Sequence, residues 1–171
     1  MKRQRIWVVL GALVVVVALG GLVGFQQFQQ ADDGSPKGGP VELPSTQGDF
    51  SLTQLEDDQL AVLFFGYTYC PDVCPMSMAV MRQVMQGLEE DQRRRVVPVL
   101  ISVDPERDTI ERLTEYVGYF GDDFIGATGS QAQLEELAAR YGVIWRRVET
   151  PDSAMEYTID HSSSIYLVDR H

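Results

Sequence analysis

Blocks of apolar residues alternate with amphipathic segments along this chain, and the alternation predicts strands and helices in turn. Residues 60–65 (LAVLFF) and residues 96–103 are apolar runs of the kind found in strands that are buried on both faces. Between them, Met78, Met81 and Met85 recur at helical spacing. Strands that alternate with helices predict an α/β fold with a largely parallel central sheet.

Weaker signals complete the predicted order of elements. Asp108 is placed to cap a helix that runs through Tyr119. Ser130 and Gln133 have the spacing of a capping box, and Gly142 is placed to end the helix that they begin. Further strands or hairpins are predicted at residues 50–55, 124–126, 143–148 and 164–168.

The beginning of the chain has the pattern of a membrane segment. Residues 6–25 are all apolar or glycine, long enough as a helix to cross about 30 Å of hydrocarbon. Lys2, Arg3 and Arg5 precede them, so the positive-inside rule keeps the N-terminus cytoplasmic and exports the rest. A cleaved signal peptide is the alternative, although its apolar core is usually shorter than this run.

Length and composition fit one folded domain behind that segment. The chain has 171 residues, 44% of them hydrophobic, and a net charge of −11, which argues against a nucleic-acid partner. We predict an N-terminal membrane anchor at residues 1–25, a flexible linker at residues 26–44 and a domain at residues 45–171. The domain is expected to face the periplasm or an equivalent extracytoplasmic space.

Cys70 and Cys74 lie where the strand at residues 60–65 is predicted to give way to a helix. Open α/β sheets place their sites at the carboxyl ends of strands, and a helix N-terminus stabilises a thiolate. Such a pair can form a reversible disulfide or bind a soft metal ion. A purely stabilising disulfide is the alternative, but a bridge across three intervening residues closes little chain. Thioredoxin-like redox motifs have two intervening residues instead.

His161 is the candidate for a third ligand, with a hydrogen-bonded loop histidine as the alternative. Two thiolates and an imidazole suit copper, because thiolates favour Cu(I) and imidazole also accepts Cu(II). Zinc would need a further ligand. The sequence does not establish that His161 lies near Cys70 and Cys74. We interpret His171, the second histidine, as a chain-end residue outside any site.

Three segments resemble the Sco/SenC family of copper proteins. Residues 64–75 (FFGYTYCPDVCP) resemble its metal-binding motif, residues 101–109 (ISVDPERDT) its next block, and residues 160–169 (DHSSSIYLVD) the block that carries its histidine ligand. Residues 124–129 (FIGATG) match in order and spacing. Together these segments are highly specific.

The resemblance implies a thioredoxin-like fold with an N-terminal anchor, and copper bound by Cys70, Cys74 and His161. The implied function is assembly of the copper-A centre of cytochrome c oxidase, by copper delivery, by reduction of that centre's cysteines, or by both. Its implied partners are the copper-A subunit and other copper chaperones or thioredoxin-like reductants. The family also continues into a closing strand and a C-terminal helix, and we expect this chain, which stops at His171, to lack them.

Other residues near the cysteines have plainer explanations. We expect Met78, Met81 and Met85 to be helix core rather than a copper relay. Asp72 either tunes the thiolates or is a solvated turn residue. The acidic and basic side chains of residues 104–108 are expected to cap and brace a loop.

Three rival functions remain open on the sequence. A thiol-disulfide oxidoreductase would use Cys70 and Cys74 as a redox pair and keep its activity without His161. A peroxiredoxin-like peroxidase would need Cys70 alone. A purely structural tethered domain would hold an irreducible disulfide.

Overall fold

The computed structural model describes residues 38–171, so the predicted anchor and residues 26–37 of the predicted linker lie outside the described residues. Within that range no helix is both long and apolar enough to cross a membrane. The strands are β1 (Glu42–Ser45), β2 (Gly48–Ser51), β3 (Leu60–Gly66), β4 (Val96–Ser102), β5 (Ile125–Ala127), β6 (Trp145–Glu149), β7 (Tyr157–His161) and β8 (Ile165–Val168). The α-helices are α1 (Val73–Gly87), α2 (Glu90–Arg93), α3 (Ile110–Gly118) and α4 (Gln131–Tyr141).

The main sheet has six strands in the order β2-β1-β5-β4-β3-β8. Strands β3, β4 and β5 are parallel, whereas β1 runs antiparallel to β2 and β5, and β8 antiparallel to β3. The α/β class is therefore confirmed, but the prediction of a largely parallel sheet is wrong. The prediction assumed that every strand is joined to its neighbour by a helix, as parallel pairing requires. Antiparallel neighbours need no helical crossover, so β1 and β2 could join one edge and β8 the other.

The two apolar runs form the centre of the core. Phe64 in β3 and Leu100 in β4 are paired in register and are both fully buried. Helix α1 covers this sheet with Met78, Met81 and Met85, which are buried as predicted. Burial of these methionines removes apolar surface from water and fixes α1 against the end of β3.

The ordered domain begins before residue 45. The first three residues of β1 lie inside the range predicted as linker, and Val41 and Leu43 are buried in the core. Leu43 pairs in register with Phe50 of β2, which is also buried. Two apolar residues among glycines and prolines form too short a pattern to predict a strand from sequence.

Helix α4 begins and ends as predicted. The Ser130 hydroxyl accepts a hydrogen bond from the Gln133 amide, and the Gln133 side chain accepts one from the Ser130 amide, completing the capping box. Gly142 ends the helix in the left-handed region at φ 64°, which favours glycine.

Strands β6 and β7 pair with each other in a separate two-stranded sheet. Strand β6 was predicted, but β7, which ends at His161, was not. Residues 157–161 alternate between buried and more exposed positions, a period that fits a strand. The run is short, and it follows a turn-rich segment at residues 150–156, so its pattern is weak in sequence.

Candidate metal centre

The two cysteines lie on either side of the junction between β3 and α1. Strand β3 ends at Gly66, and α1 starts at Val73, so Cys74 is in its first turn. Cys74 is fully buried and Cys70 partly exposed, and both are free thiols. The Cys74 amide donates a hydrogen bond to the Cys70 Sγ at 3.4 Å. The first turn of α1 therefore holds the Cys70 sulfur beside Cys74.

A buried carboxylate holds the loop that leads to Cys70. Asp108 accepts hydrogen bonds from the Thr68 amide at 2.9 Å and the Thr68 hydroxyl at 2.7 Å. It accepts a third from the Ser102 hydroxyl at 2.5 Å. Its side chain therefore ties the cysteine loop to the end of β4.

The predicted helix-capping role of Asp108 is wrong. The residue that caps α3 is Thr109, whose side chain accepts from the Arg112 amide. Asp108 comes one residue earlier and points into the interior instead. Asp and Thr are both good capping residues, and sequence spacing does not separate two neighbours of this kind.

His161, at the end of β7, brings its ring to the cysteines. Its Nε2 lies 3.2 Å from the Cys74 Sγ, and its Nδ1 lies 3.0 Å from the Ser162 carbonyl oxygen. We assign the ring proton to Nδ1, because a carbonyl only accepts hydrogen bonds. Phe64 and Tyr67 contact the ring edge-on, with centroids 6.0 and 5.9 Å away. Nε2 therefore directs its lone pair toward the sulfurs.

The structure brings together all three residues predicted for the metal site. The candidate ligand atoms of Cys70, Cys74 and His161 lie within 4.8 Å of one another. Two sulfurs and a neutral imidazole are a donor set that suits copper, and the orienting carbonyl behind the histidine is typical of metal sites. His171 does not belong to this group, and Met76 is exposed on α1.

Burial raises the pKa of the Cys74 thiol well above its usual range, and the neighbouring Cys70 raises it further. Loss of solvation favours the protonated thiol of Cys74, whereas the helix N-terminus that was predicted to stabilise a thiolate acts in the opposite direction. Without a metal, Cys74 keeps its proton at neutral pH.

The site opens to solvent through a cleft of about 470 Å³. Cys70, Asp72 and His161 line it, together with Asp160. Asp72 is exposed and its side chain makes no capping hydrogen bond to α1. The cleft gives a second molecule access to Cys70, while Cys74 stays behind it.

Comparisons with known proteins agree with this geometry. The SCO1/SenC family model matches residues 29–171. A SCO2-like protein of Rickettsia prowazekii is 35% identical over 165 residues, which cover 94% of this chain and 79% of that protein. The chain belongs to the SCO1/SenC family. The resemblance noted in the sequence is thereby confirmed.

Solved Sco structures share the fold. Arabidopsis thaliana ScoI with copper bound matches with a TM-score of 0.71 and 37% identity, covering 79% of this chain and 83% of that chain. BsSco, a member of the Sco family of cytochrome c oxidase assembly proteins with a disulfide switch, matches with a TM-score of 0.58 and 28% identity. That match covers 77% of this chain and 76% of the BsSco chain. Copper, the predicted cofactor, is confirmed for the family, and this chain has the Cys-Cys-His group.

Sequence reasoning missed the residues that fix the histidine in this family member. The Tyr67 hydroxyl accepts a hydrogen bond from the Ile159 amide of β7 at 3.0 Å. Arg107 was expected only to brace its own loop, yet it also contacts Tyr157 of β7. The sequence gives little signal for this contact, because residues 107 and 157 are far apart in the chain and only the fold brings them together.

Proposed function

We propose that this protein is a membrane-tethered copper metallochaperone that helps to assemble the copper-A centre of cytochrome c oxidase. The observation that carries the proposal is the convergence of two thiols and the His161 Nε2 within 4.8 Å, at the base of an open cleft. Copper is the cargo in this proposal. Cys70, Cys74 and His161 are its ligands.

The unequal burial of the two sulfurs suggests an order for transfer. Cys70 faces the cleft, whereas Cys74 is fully buried. A recipient thiolate can therefore replace Cys70 first, while Cys74 and His161 still hold the ion. Each exchanged ligand keeps the ion bound, so it never has to be released to solvent.

Tethering would bring this site close to membrane-bound recipients. We propose residues 1–25 as the anchor of a domain on the extracytoplasmic side, and the part of the predicted linker that precedes β1 as its tether. A flexible tether raises the effective concentration of the domain near partners in the same membrane. The copper-A subunit is the proposed recipient, and other copper chaperones or thioredoxin-like reductants are the proposed suppliers. The assembly role named for the family of BsSco supports this choice.

Loss of the imidazole tests the site directly. We expect the reduced full-length chain in mild detergent to bind one copper ion tightly. His161→Ala should bind Cu(II) at least about 100-fold more weakly, because loss of an outer-shell partner alone typically costs 10–100-fold. Anaerobic titration with competing chelators measures both affinities. His171→Ala is the matched control and should behave as wild type. Equal binding by the wild type and His161→Ala would remove His161 from the site, and no tight binding by either would refute the copper proposal.

Copper affinity is also expected to rise with pH. Copper takes thiolates, and burial raises the pKa of the Cys74 thiol, so binding must displace a proton that Cys74 still holds at neutral pH. A higher pH weakens that competition, by about tenfold in affinity per pH unit for each proton released. Cu(I) affinities measured between pH 6 and pH 8 give the slope. An affinity that stays flat over this range would contradict the prediction.

Thiol-disulfide exchange is the second candidate. Both cysteines are free and adjacent, and the disulfide switch described for BsSco supports a redox role. The Cys70 thiolate would attack a recipient disulfide, and Cys74 would resolve the mixed disulfide. The recipient would leave as a dithiol and this chain as a disulfide, which a thioredoxin-like reductant would reduce. Reductase activity that His161→Ala retains and Cys70→Ser loses would favour this function.

A further inference from the structure

The candidate ligands belong to two different structural elements. Cys70 and Cys74 belong to the junction of β3 with α1, whereas His161 belongs to the β6–β7 hairpin. That hairpin shares no strand pairing with the six-stranded sheet. Its hydrogen bond from the Ile159 amide to Tyr67 is one tie to the main domain. Residues 162–164 join His161 to β8, which pairs with β3, and side chains supply further ties at the start of β7.

Arg107, in the loop after β4, contacts the hairpin through its side chain. Its Nη1 donates hydrogen bonds to the carbonyl oxygens of Met155 and Tyr157, at 3.1 and 3.0 Å. Its guanidinium carbon lies 3.5 Å from the centroid of the Tyr157 ring. One side chain therefore holds both the backbone at the start of β7 and the aromatic ring that starts that strand.

Asp104 fixes Arg107 and Tyr157 at once. Its Oδ2 accepts a hydrogen bond from the Arg107 Nε at 2.5 Å, and its Oδ1 accepts one from the Tyr157 hydroxyl at 2.7 Å. The side chain of Asp104 is 2% exposed and that of Arg107 is 16% exposed. Little solvent screens this ion pair, in contrast to the exposed pair of Arg146 with Asp160 on the same hairpin.

We propose that Arg107 is the positioning residue for His161: by clamping the start of β7 to the loop at residues 104–108, it sets the distance of the imidazole from the two sulfurs. The inference rests on the proposed copper function. Tyr157 and His161 are four residues apart in one strand of a short hairpin, so a shift at Tyr157 moves the histidine. The guanidinium carbon of Arg107 also lies 4.8 Å from the centroid of the Tyr69 ring, next to Cys70, but the Cys74 thiol is held by the first turn of α1.

The test compares Arg107→Met with wild type in the full-length chain. Methionine keeps an unbranched apolar side chain and removes the guanidinium. Outer-shell residues of metal ligands typically contribute 10–100-fold to metal affinity. We expect Cu(II) affinity to fall by about that factor and the nitrogen hyperfine signal of bound imidazole to weaken. Cu(I) affinity, to which both thiols contribute, should fall by less. Arg95→Met removes an exposed arginine that pairs with Asp58 instead; it is the control and should match wild type in all three readouts.

Amide hydrogen exchange gives a readout without copper. In Arg107→Met, the Ile159 amide should exchange faster while the amides of β3 and β4 stay protected. This measurement keeps the inference testable even if the wild type binds no copper, a result that would refute the proposed function alone. Unchanged exchange at Ile159, or unchanged Cu(II) affinity in a copper-binding protein, would overturn the role of Arg107.

A second variant removes the charge that Arg107→Met leaves unpaired. If the single variant also loses protection in β3 and β4, Arg107→Met combined with Asp104→Asn should restore that protection while Ile159 still exchanges fast. If core and hairpin lose protection together in both variants, Arg107 supports the whole domain rather than His161, and the inference is wrong.

Discussion

Gly66→Ala is expected to destabilise the domain by about 3 kcal/mol and to weaken copper binding at the same time. A Cβ at position 66 would lie 2.8 Å from the Cys74 Sγ and 2.9 Å from the Phe64 ring. Cys74 and Phe64 are both fully buried, so neither has free space to move into. Relief requires α1 to move away from β3, which displaces Cys74 from Cys70 and His161. Urea unfolding measures the stability and chelator competition the copper affinity.

Gly87→Ala is the matched control for this prediction. A Cβ at position 87 meets no atom within 4 Å, and the residue is the last of α1. Alanine there should leave stability unchanged or raise it by up to about 1 kcal/mol, because alanine is the better helix former. If Gly66→Ala is as stable as Gly87→Ala and binds copper as wild type does, the contact between β3 and α1 is looser than the structure indicates.

The parts of the fold that the sequence predicted are those with strong local signals. Strands β3 and β4 are long apolar runs, and α4 has a capping box at one end and a glycine at the other. Strands β1 and β7 were missed because each alternates between buried and more exposed residues over only four or five positions. The direction of β8 depends on how the chain returns from the β6–β7 hairpin, which periodicity does not encode.

The sequence predicted the candidate ligands but not the residues that hold them in position. Cys70, Cys74 and His161 have reactive side chains in a recognisable order, so chemistry and family resemblance both indicated them. Asp108 and Arg107 act through residues that lie far away in sequence, such as Thr68 and Tyr157. A carboxylate or guanidinium in a loop is compatible with a capping role, a surface ion pair or a buried hydrogen bond to a distant residue. Only the packed structure distinguishes these roles.

Two side chains of one loop therefore contact different parts of the site. Asp108 reaches toward the cysteine loop through Thr68, and Arg107 reaches toward the histidine hairpin through Tyr157. The two residues are adjacent, so the loop at residues 104–108 relates one support of the metal site to the other. Arg107 also contacts Tyr69 beside Cys70, so its loss should affect mainly the imidazole, whereas the loss of Asp108 should affect mainly the thiols.

Asp108→Ala is accordingly expected to cost about 4 kcal/mol of stability. Asp108 is fully buried and accepts three hydrogen bonds, two from Thr68 and one from Ser102. A buried donor left without an acceptor costs about 1–3 kcal/mol, and alanine leaves three such donors, of which the two hydroxyls can rotate. The freed Thr68 would also loosen the loop that ends at Cys70. Urea unfolding followed by tryptophan fluorescence measures the loss.

Two further variants show whether the lost hydrogen bonds cause this effect. Asp108→Asn keeps the size of the side chain and one acceptor oxygen, so it should lose less than Asp108→Ala. Asp49→Ala removes an exposed carboxylate from β2 and should stay within about 0.5 kcal/mol of wild type. Equal losses for alanine and asparagine would assign the stabilisation to the carboxylate charge. A loss below about 1 kcal/mol for Asp108→Ala would mean that the cysteine loop is held by its own backbone, and copper affinity should then match wild type.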